Sequence, residues 1–336
     1  MTHPILQQLS DGEPLDMESM RSVIHEVMEG AWEDASLAEL LTLLHKKGET
    51  AEEIAGAAAA LRAHMTRIPV DRDDLIDTCG TGGDGSGTFN ISTAAALVAA
   101  AAGAVVAKHG NRKITSKTGS ADVLLELGVN IEASPEQVVR CIEEVGIGFC
   151  FAPSLHPAMK RVGAVRRNLP FPTIFNLLGP LSNPASAPYQ LLGVGRPELR
   201  IRLAEALRLL GARRAAVVCG ADGMDEVTLE GETQVSLVAD GEVSDLTWLP
   251  EDFGVSPGAD DSLLANDPAE SAAVIRRVLE GEHSAARNIV VLNAGAALWT
   301  AGLAASTQAA GARAAEAIDS GKARELLATL AQVSAS

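Results

Sequence analysis

Residues 77–120 place the tightest constraint on how this chain can fold. They read Asp77-Thr78-Cys79-Gly80-Thr81-Gly82-Gly83-Asp84-Gly85-Ser86-Gly87-Thr88-Phe89-Asn90, then a run of small apolar residues, then Lys108-His109-Gly110-Asn111-Arg112. A strand is expected over 74–79, a buried helix of small residues over 91–102, and a second strand over 104–107. Glycines at 80, 82, 83, 85 and 87 let the first connecting loop turn sharply and bring bare backbone close to a ligand. Two successive strands joined through a helix lie parallel in one sheet. Their following loops then share the carboxyl edge, where open α/β sheets bind ligands.

The glycine loop fits three known uses unequally. Gly80 to Gly85 formally satisfies GxGxxG, but dinucleotide binding also needs an acid about 20 positions on, and residues 97–106 contain none. No Gly-Lys-Ser/Thr closes the loop, which removes the P-loop. A flexible linker would not sit between a buried strand and an apolar helix. Anion binding remains: glycines expose amides, and Asn90, Ile91, Ser92 and Thr93 put amides and hydroxyls at a helix start. Residues 108–117 add Lys108, His109, Arg112, Lys113 and Lys117 with no acid, in a chain of formal net charge −17. A second acid-free basic stretch covers 156–167; on its residues alone it reads as a surface helix face.

Outside this unit the chain divides into two regions. Residues 1–69 look all-helical. Ser36-Leu37-Ala38-Glu39 and Thr50-Ala51-Glu52-Glu53 read as capping boxes, with Gly30, Gly48 and Ile68-Pro69 as ends. From residue 70 to 336 strands and helices alternate. A helix opens at Ser134-Pro135-Glu136-Gln137, strands are expected over 172–175 and 214–219, and a helix over 197–210 lies between them. Residues 233–248 read as a hairpin turning at Asp240-Gly241, and 268–332 as Ala-rich helix. The fold class expected is α/β: a small N-terminal helical domain and a larger domain with a mostly parallel sheet covered by helices.

Composition narrows the function. Hydrophobic residues make up 47% but aromatics only 3%, so the core is aliphatic and closely packed. The acidic balance argues against nucleic acid and anionic membrane as partners. Four scattered cysteines without CxxC suggest neither zinc nor disulfides. No signal peptide is evident, and no apolar run reaches the roughly 18 residues a membrane helix needs, so the expected location is the cytoplasm.

Eight motifs, in order along the chain, then carry a resemblance. They are Gly80-Thr81-Gly82-Gly83-Asp84, Asn90-Ile91-Ser92-Thr93, Lys108-His109-Gly110-Asn111-Arg112, Gly119-Ser120-Ala121-Asp122, His156-Pro157-Ala158-Met159-Lys160, Val165-Arg166-Arg167, residues 176–184 (Asn-Leu-Leu-Gly-Pro-Leu-Ser-Asn-Pro) and Asp225-Glu226-Val227. Over essentially its whole length the sequence resembles the anthranilate phosphoribosyltransferases. The resemblance implies a two-domain enzyme with its site in the cleft between domains, part of about 155–185 packing on the helical domain, and homodimers formed through that domain. It implies transfer of phosphoribose from 5-phosphoribosyl diphosphate to the amine of anthranilate, in tryptophan biosynthesis.

The same resemblance distributes the roles. Gly80, Gly82, Gly83, Asp84, Thr88, Asn90, Ile91, Ser92 and Thr93, with the run Lys108, His109, Gly110, Asn111, Arg112, Lys113, Ile114, Thr115, Ser116 and then Ser120, would hold 5-phosphoribosyl diphosphate. Ser92, Asp225 and Glu226 would hold Mg²⁺, two ions per subunit; such hard oxygen donors suit that ion. Gly80, Asn111, Arg166, His109, His156 and Pro180 would meet anthranilate, with Arg166 on its carboxylate. An aromatic amine is neutral near pH 7 and needs orientation more than a base. No acid or base is therefore assigned, and His156 stands between packing and catalysis. Two other readings share the general plan. A pyrimidine nucleoside phosphorylase would bind free phosphate and would not need the acidic pair as a metal site. A non-catalytic nucleic-acid-binding relative would lack Asn111, Arg166 and that pair.

Overall fold

The computed structural model describes residues 4–112 and 118–336. Lys113, Ile114, Thr115 and Ser116, expected to line the phosphoribosyl site, lie outside the described residues. One sheet organises the larger part of the chain. Its strands are β1 (Leu75–Gly80), β2 (Val105–Gly110), β3 (Ile147–Phe151), β4 (Tyr189–Gly193), β5 (Arg214–Gly220), β6 (Thr233–Ala239) and β7 (Glu242–Trp248), in the order β3-β2-β1-β4-β5-β6-β7. The first five are mutually parallel and the last two antiparallel. Strand order reverses between β1 and β4, and a reversal of that kind opens a crevice at the carboxyl edge. In register, Gly80 of β1 faces Gly193 of β4, which faces Val218 of β5. The loops after β1, β2 and β5 therefore leave the sheet side by side.

Small residues permit the close layers that a chain poor in aromatics needs. The helix Ile91–Ala101 is Ala-rich and almost wholly buried, wedged between the sheet and the helix Ala285–Thr300. The hairpin β6–β7 turns through Asp240 and Gly241, both left-handed at φ 53° and 78°, the pair of conformations a two-residue type I′ turn requires.

The N-terminal helices Pro4–Ser10, Met17–Glu29, Asp34–Lys47 and Ala51–Ala63 share one apolar core with the helices Met159–Arg167, Phe175–Leu178 and Pro197–Leu209 and one face of β4 and β5. Glu53 anchors this region. Fully buried, it closes the capping box with Thr50, accepts from the Leu15 N–H at 3.0 Å and pairs with Lys47 at 2.8 Å. A buried carboxylate is tolerable only when its oxygens are satisfied in this way.

Two local expectations fail, and two strands go unforeseen, for identifiable reasons. Residues 172–175 are not a strand: Asn176 Oδ1 accepts from the Thr173 N–H at 3.0 Å, and the chain closes into the helical turn Phe175–Leu178. Ser36 is not a cap, because its helix starts earlier, at Asp34. β3 and β4 escape the sequence reading. Both are five residues long and buried on both faces, so they show no alternation to detect.

Candidate active site

A cleft of about 510 Å³ opens at the carboxyl ends of β1 and β2, lined by the glycine loop, the start of the helix Ile91–Ala101 and the acidic pair. Gly82, Gly83, Gly85 and Gly87 take φ between 68° and 78°. This left-handed backbone turns successive amides to one side and is costly for any residue with a Cβ. The loop's descending limb is pinned: the Phe89 N–H donates to Leu263 C=O at 2.7 Å, and the Ala265 N–H to Gly87 C=O at 3.1 Å. Asn90 then caps the helix, its Oδ1 accepting from the Thr93 N–H at 3.1 Å. Ile91 and Ser92 line the cleft at that helix start, where the backbone N–H groups and the helix dipole favour an anion.

The acidic pair crosses from the loop after β5. Asp225 Oδ2 accepts from the Gly82 N–H at 2.7 Å, the Asp225 N–H points at Asp84 Oδ2 at 3.4 Å, and Ser92 Oγ donates to Glu226 Oε1 at 2.5 Å. Strands and loop meet so closely that side chains must be absent. A Cβ on Gly193 would lie 1.6 Å from the Asp225 carbonyl oxygen, and one on Gly80 2.3 Å from Asp225 Oδ2. From the other side the fully buried Asn293 clamps the next residue. Its Oδ1 accepts from the Val227 N–H and its Nδ2 donates to Val227 C=O, both at 2.9 Å.

Burial raises the pKa of Asp225, with Asp84 adding to it; burial also raises that of Glu226, with Asp225 adding to it. Carboxylates pressed together in this way are relieved by a divalent cation. Among the described residues no three Asp, Glu, His or Cys side chains form a self-sufficient metal centre. The donors are one hydroxyl and two carboxylates beside an open cleft, a set that fits Mg²⁺ completing its shell with water and phosphate oxygens.

Lys108 and His109 come from β2. Lys108 is buried, donates Nζ to Thr78 C=O at 2.6 Å, and has its pKa lowered by burial. Below it, Asp77 accepts from the His109 N–H at 3.0 Å and from Asn183 Nδ2 at 2.8 Å; burial raises its carboxyl to about 6. His109 donates Nδ1–H to Gly179 C=O at 3.0 Å, which leaves its Nε2 to accept from His156 Nε2–H at 3.2 Å. Burial keeps both imidazoles neutral, lowering His109 to about 3 and His156 to about 4.

Comparison with known proteins agrees with this architecture. Residues 3–65 match the "Glycosyl transferase family, helical bundle domain" and residues 72–324 the "Glycosyl transferase family, a/b domain". Anthranilate phosphoribosyltransferases of Rhodopirellula baltica and Rubrobacter xylanophilus are each 50% identical to this chain, covering 96% and 99% of it and 94% and 98% of their own lengths. The solved Thermus thermophilus anthranilate phosphoribosyltransferase superposes with a TM-score of 0.93 at 43% identity, over 98% of this chain and 99% of that one. The chain belongs to the anthranilate phosphoribosyltransferase family. A Saccharomyces cerevisiae member solved in complex with PRPP and Mg superposes with a TM-score of 0.88 at 26% identity, covering 98% of this chain and 96% of its own.

The residues that the family resemblance singles out fall into three groups here. Gly80, Gly82, Gly83, Asp84, Thr88, Asn90, Ile91, Ser92, Lys108, His109, Gly110, Asn111, Ser120, Asp225 and Glu226 line the cleft. Thr93 is buried behind it, its hydroxyl on Asn90. Arg112, His156, Pro180 and Arg166 do not line it. Arg112 turns away to Asp122 at 3.3 Å and Glu132 at 3.8 Å. His156 stands behind His109, and Pro180 borders a different cavity. Arg166, its pKa lowered by burial, lies over the Phe175 ring at 5.6 Å and reaches Asn176 Oδ1 at 3.4 Å. That short helix leads directly into Gly179, the partner of His109. Gly193 and Asn293 escape the sequence reading: a lone glycine in an unrecognised strand and a lone Asn in an apolar helix carry no chemical motif.

Proposed function

We infer that this protein is a glycosyltransferase that moves the phosphoribosyl group of 5-phosphoribosyl diphosphate onto the amine of anthranilate, releasing diphosphate, in tryptophan biosynthesis. The observation carrying this reading is the convergence of glycine loop, helix start and buried acidic pair on one cleft, in a chain half identical to named family members along nearly its full length.

In the reaction the bond from the anomeric carbon to the diphosphate oxygen breaks, the amine nitrogen bonds to that carbon, and the amine loses one proton. Negative charge grows on the leaving group, so preorganised donors aimed there do most for the rate. The Gly83 amide and the helix start at Ile91–Ser92 supply such donors, with Lys108 as a nearby cation, while the Gly82 N–H holds Asp225 in place beside them. Bound Mg²⁺ would neutralise the departing diphosphate; Ser92, Asp225 and Glu226 would hold it, two ions per subunit in our reading. Asn111 and Ser120 would face the phosphoribose, and Lys113, Ile114, Thr115 and Ser116, which lie outside the described residues, would join them in holding it. Arg166 would orient the anthranilate carboxylate through its guanidinium fork. His109 has its Nε2 lone pair engaged by His156 and its Nδ1 proton on Gly179. With neither nitrogen free, orientation and leaving-group stabilisation account for the reaction without a histidine base.

We further propose that the helical region spans residues 1–69 and the α/β region 70–336, with part of 155–185 on the helical side, as their shared apolar core supports. The protein would be a cytoplasmic homodimer joined through the helical region; no helix among the described residues is long and apolar enough to cross a membrane. Anthranilate fluorescence followed in time tests the activity. Loss of signal is expected only when protein, 5-phosphoribosyl diphosphate and Mg²⁺ are all present, and a flat trace from folded protein would refute it.

A further inference from the structure

After the short helix Phe175–Leu178 the chain runs along the seam between the N-terminal helices and the sheet before it enters β4. Gly179, Pro180 and Leu181 present three successive carbonyls there, and a side chain from a different element takes each one. His109 Nδ1 of β2 donates to Gly179 C=O at 3.0 Å, and Gln190 Nε2 of β4 to Pro180 C=O at 2.6 Å. Arg62 Nε, in the last turn of the helix Ala51–Ala63, donates to Leu181 C=O at 2.7 Å. Asn183 then fixes the far end, its Nδ2 reaching Asp77 Oδ2 at 2.8 Å and Ala107 C=O at 2.7 Å.

Most backbone carbonyls in a fold are satisfied by other backbone groups. Here the segment's own turns make two such bonds, from the Leu181 N–H to Leu178 C=O and from the Ser182 N–H to Gly179 C=O, both at 3.1 Å. Close packing does not supply the rest, because a pocket of about 210 Å³ lies behind Pro180, bordered by Arg62, Asn183 and Gln190. On that side the position of the segment depends on the side-chain donors. At its other end it continues directly from the helix that carries Phe175 and Asn176. The Phe175 ring lies 5.6 Å from the Arg166 guanidinium, and Asn176 Oδ1 accepts from Arg166 Nη2 at 3.4 Å.

We propose that Gln190 and Arg62 are positioning residues for the acceptor: by gripping the Pro180 and Leu181 carbonyls they set the short helix, and through it the Arg166 guanidinium that meets the anthranilate carboxylate. The proposal rests on the transferase reading, which puts Arg166 and Pro180 on anthranilate. Gln190 is buried, and neither residue lines the glycine-loop cleft. The donor substrate and its metal therefore stay apart from their influence.

Steady-state kinetics with each substrate varied in turn tests this assignment. Gln190→Leu keeps the volume but leaves Pro180 C=O without its donor. Loosening an orienting group by a fraction of an ångström should raise half-saturation by anthranilate about tenfold, while the values for 5-phosphoribosyl diphosphate and Mg²⁺ stay within about twofold. Arg62→Leu, a change in a different element, should shift the anthranilate value the same way. Arg62→Lys, which keeps a donor for Leu181 C=O, should recover most of that loss. Unfolding midpoints are read on the same samples: a variant that is merely less stable loses kcat and leaves both half-saturation values alone, and that result would overturn the proposal. A flat wild-type trace would remove the transferase reading and this assignment together. An active wild type in which Gln190→Leu raises both substrates' values alike, or neither, would overturn this assignment alone.

Discussion

Replacing Gly193 by alanine should disable the cleft while leaving the fold in place. The added Cβ would sit 1.6 Å from the Asp225 carbonyl oxygen and 2.4 Å from its carbon, and real Cβ contacts essentially never fall below 3.0 Å. One side must therefore retreat by at least 1.4 Å. Gly193 cannot, because it is held between Gly80 and Val218 in the parallel ladder and its carbonyl accepts from the Thr81 N–H at 2.9 Å. The loop carrying Asp225 and Glu226 gives way instead, and the 2.7 Å bond from the Gly82 N–H to Asp225 goes with it. Misplacement of catalytic groups by about 1 Å costs roughly a hundredfold in rate, near 2.7 kcal/mol. Steady-state anthranilate fluorescence should show kcat/KM down by about that factor and half-saturation by Mg²⁺ moved upward, with cooperative unfolding retained. Gly80→Ala should also impair the Mg²⁺ response, since its Cβ would push on Asp225 Oδ2, the oxygen that the Gly82 N–H holds, while leaving the backbone of that loop in place. A Gly193→Ala enzyme within threefold of wild type at limiting Mg²⁺ would refute the reasoning.

Other residues give separate tests. Asn293→Leu strands the buried N–H and C=O of Val227, at about 1 to 3 kcal/mol each; it should raise the Mg²⁺ requirement as well as lower the unfolding midpoint, and a stability loss with unchanged Mg²⁺ dependence would make Asn293 merely structural. Arg166→Ala should weaken use of anthranilate by about 2 to 4 kcal/mol while sparing binding of 5-phosphoribosyl diphosphate, and equal losses for both substrates would remove its assigned role. The histidine pair predicts a pH effect on stability. Both folded pKa values lie below the ordinary 6.5, so between about pH 6.5 and 4 the unfolded chain binds more protons and stability falls as pH falls. The double variant His109→Asn with His156→Gln should lose that part of the slope in denaturant titrations at pH 7 and 5; an unaltered slope would mean the imidazoles are protonated in the fold.

What the sequence disclosed followed from local rules. Glycines at 82, 83, 85 and 87 announce left-handed backbone, Thr50 and Ser134 cap their helices as written, and Asp240-Gly241 makes its turn. The basic stretch 108–117 stood out as chemistry because it is free of acid in a chain of net charge −17, whereas Asp225 and Glu226, unremarkable as a bare dipeptide, were singled out by the family resemblance. What remained hidden depends on contacts remote in sequence. The need for glycine at 193 arises from a loop more than 30 residues later, and the role of Asn293 from one 66 residues earlier. Arg112 also looked like a phosphate ligand from its motif, but here its guanidinium is drawn to Asp122 and Glu132. Partner choice among long side chains is settled by packing, which local sequence does not record.

The central claim is that the acidic pair, held against the glycine loop, couples metal to donor substrate. Titration calorimetry of 5-phosphoribosyl diphosphate, with and without Mg²⁺, into wild type and the double variant Asp225→Asn with Glu226→Gln measures that coupling directly. Mg²⁺ is expected to strengthen binding to the wild type by at least about tenfold and barely to affect the variant. Equal enhancement by Mg²⁺ in both proteins would contradict it and place the metal on other ligands.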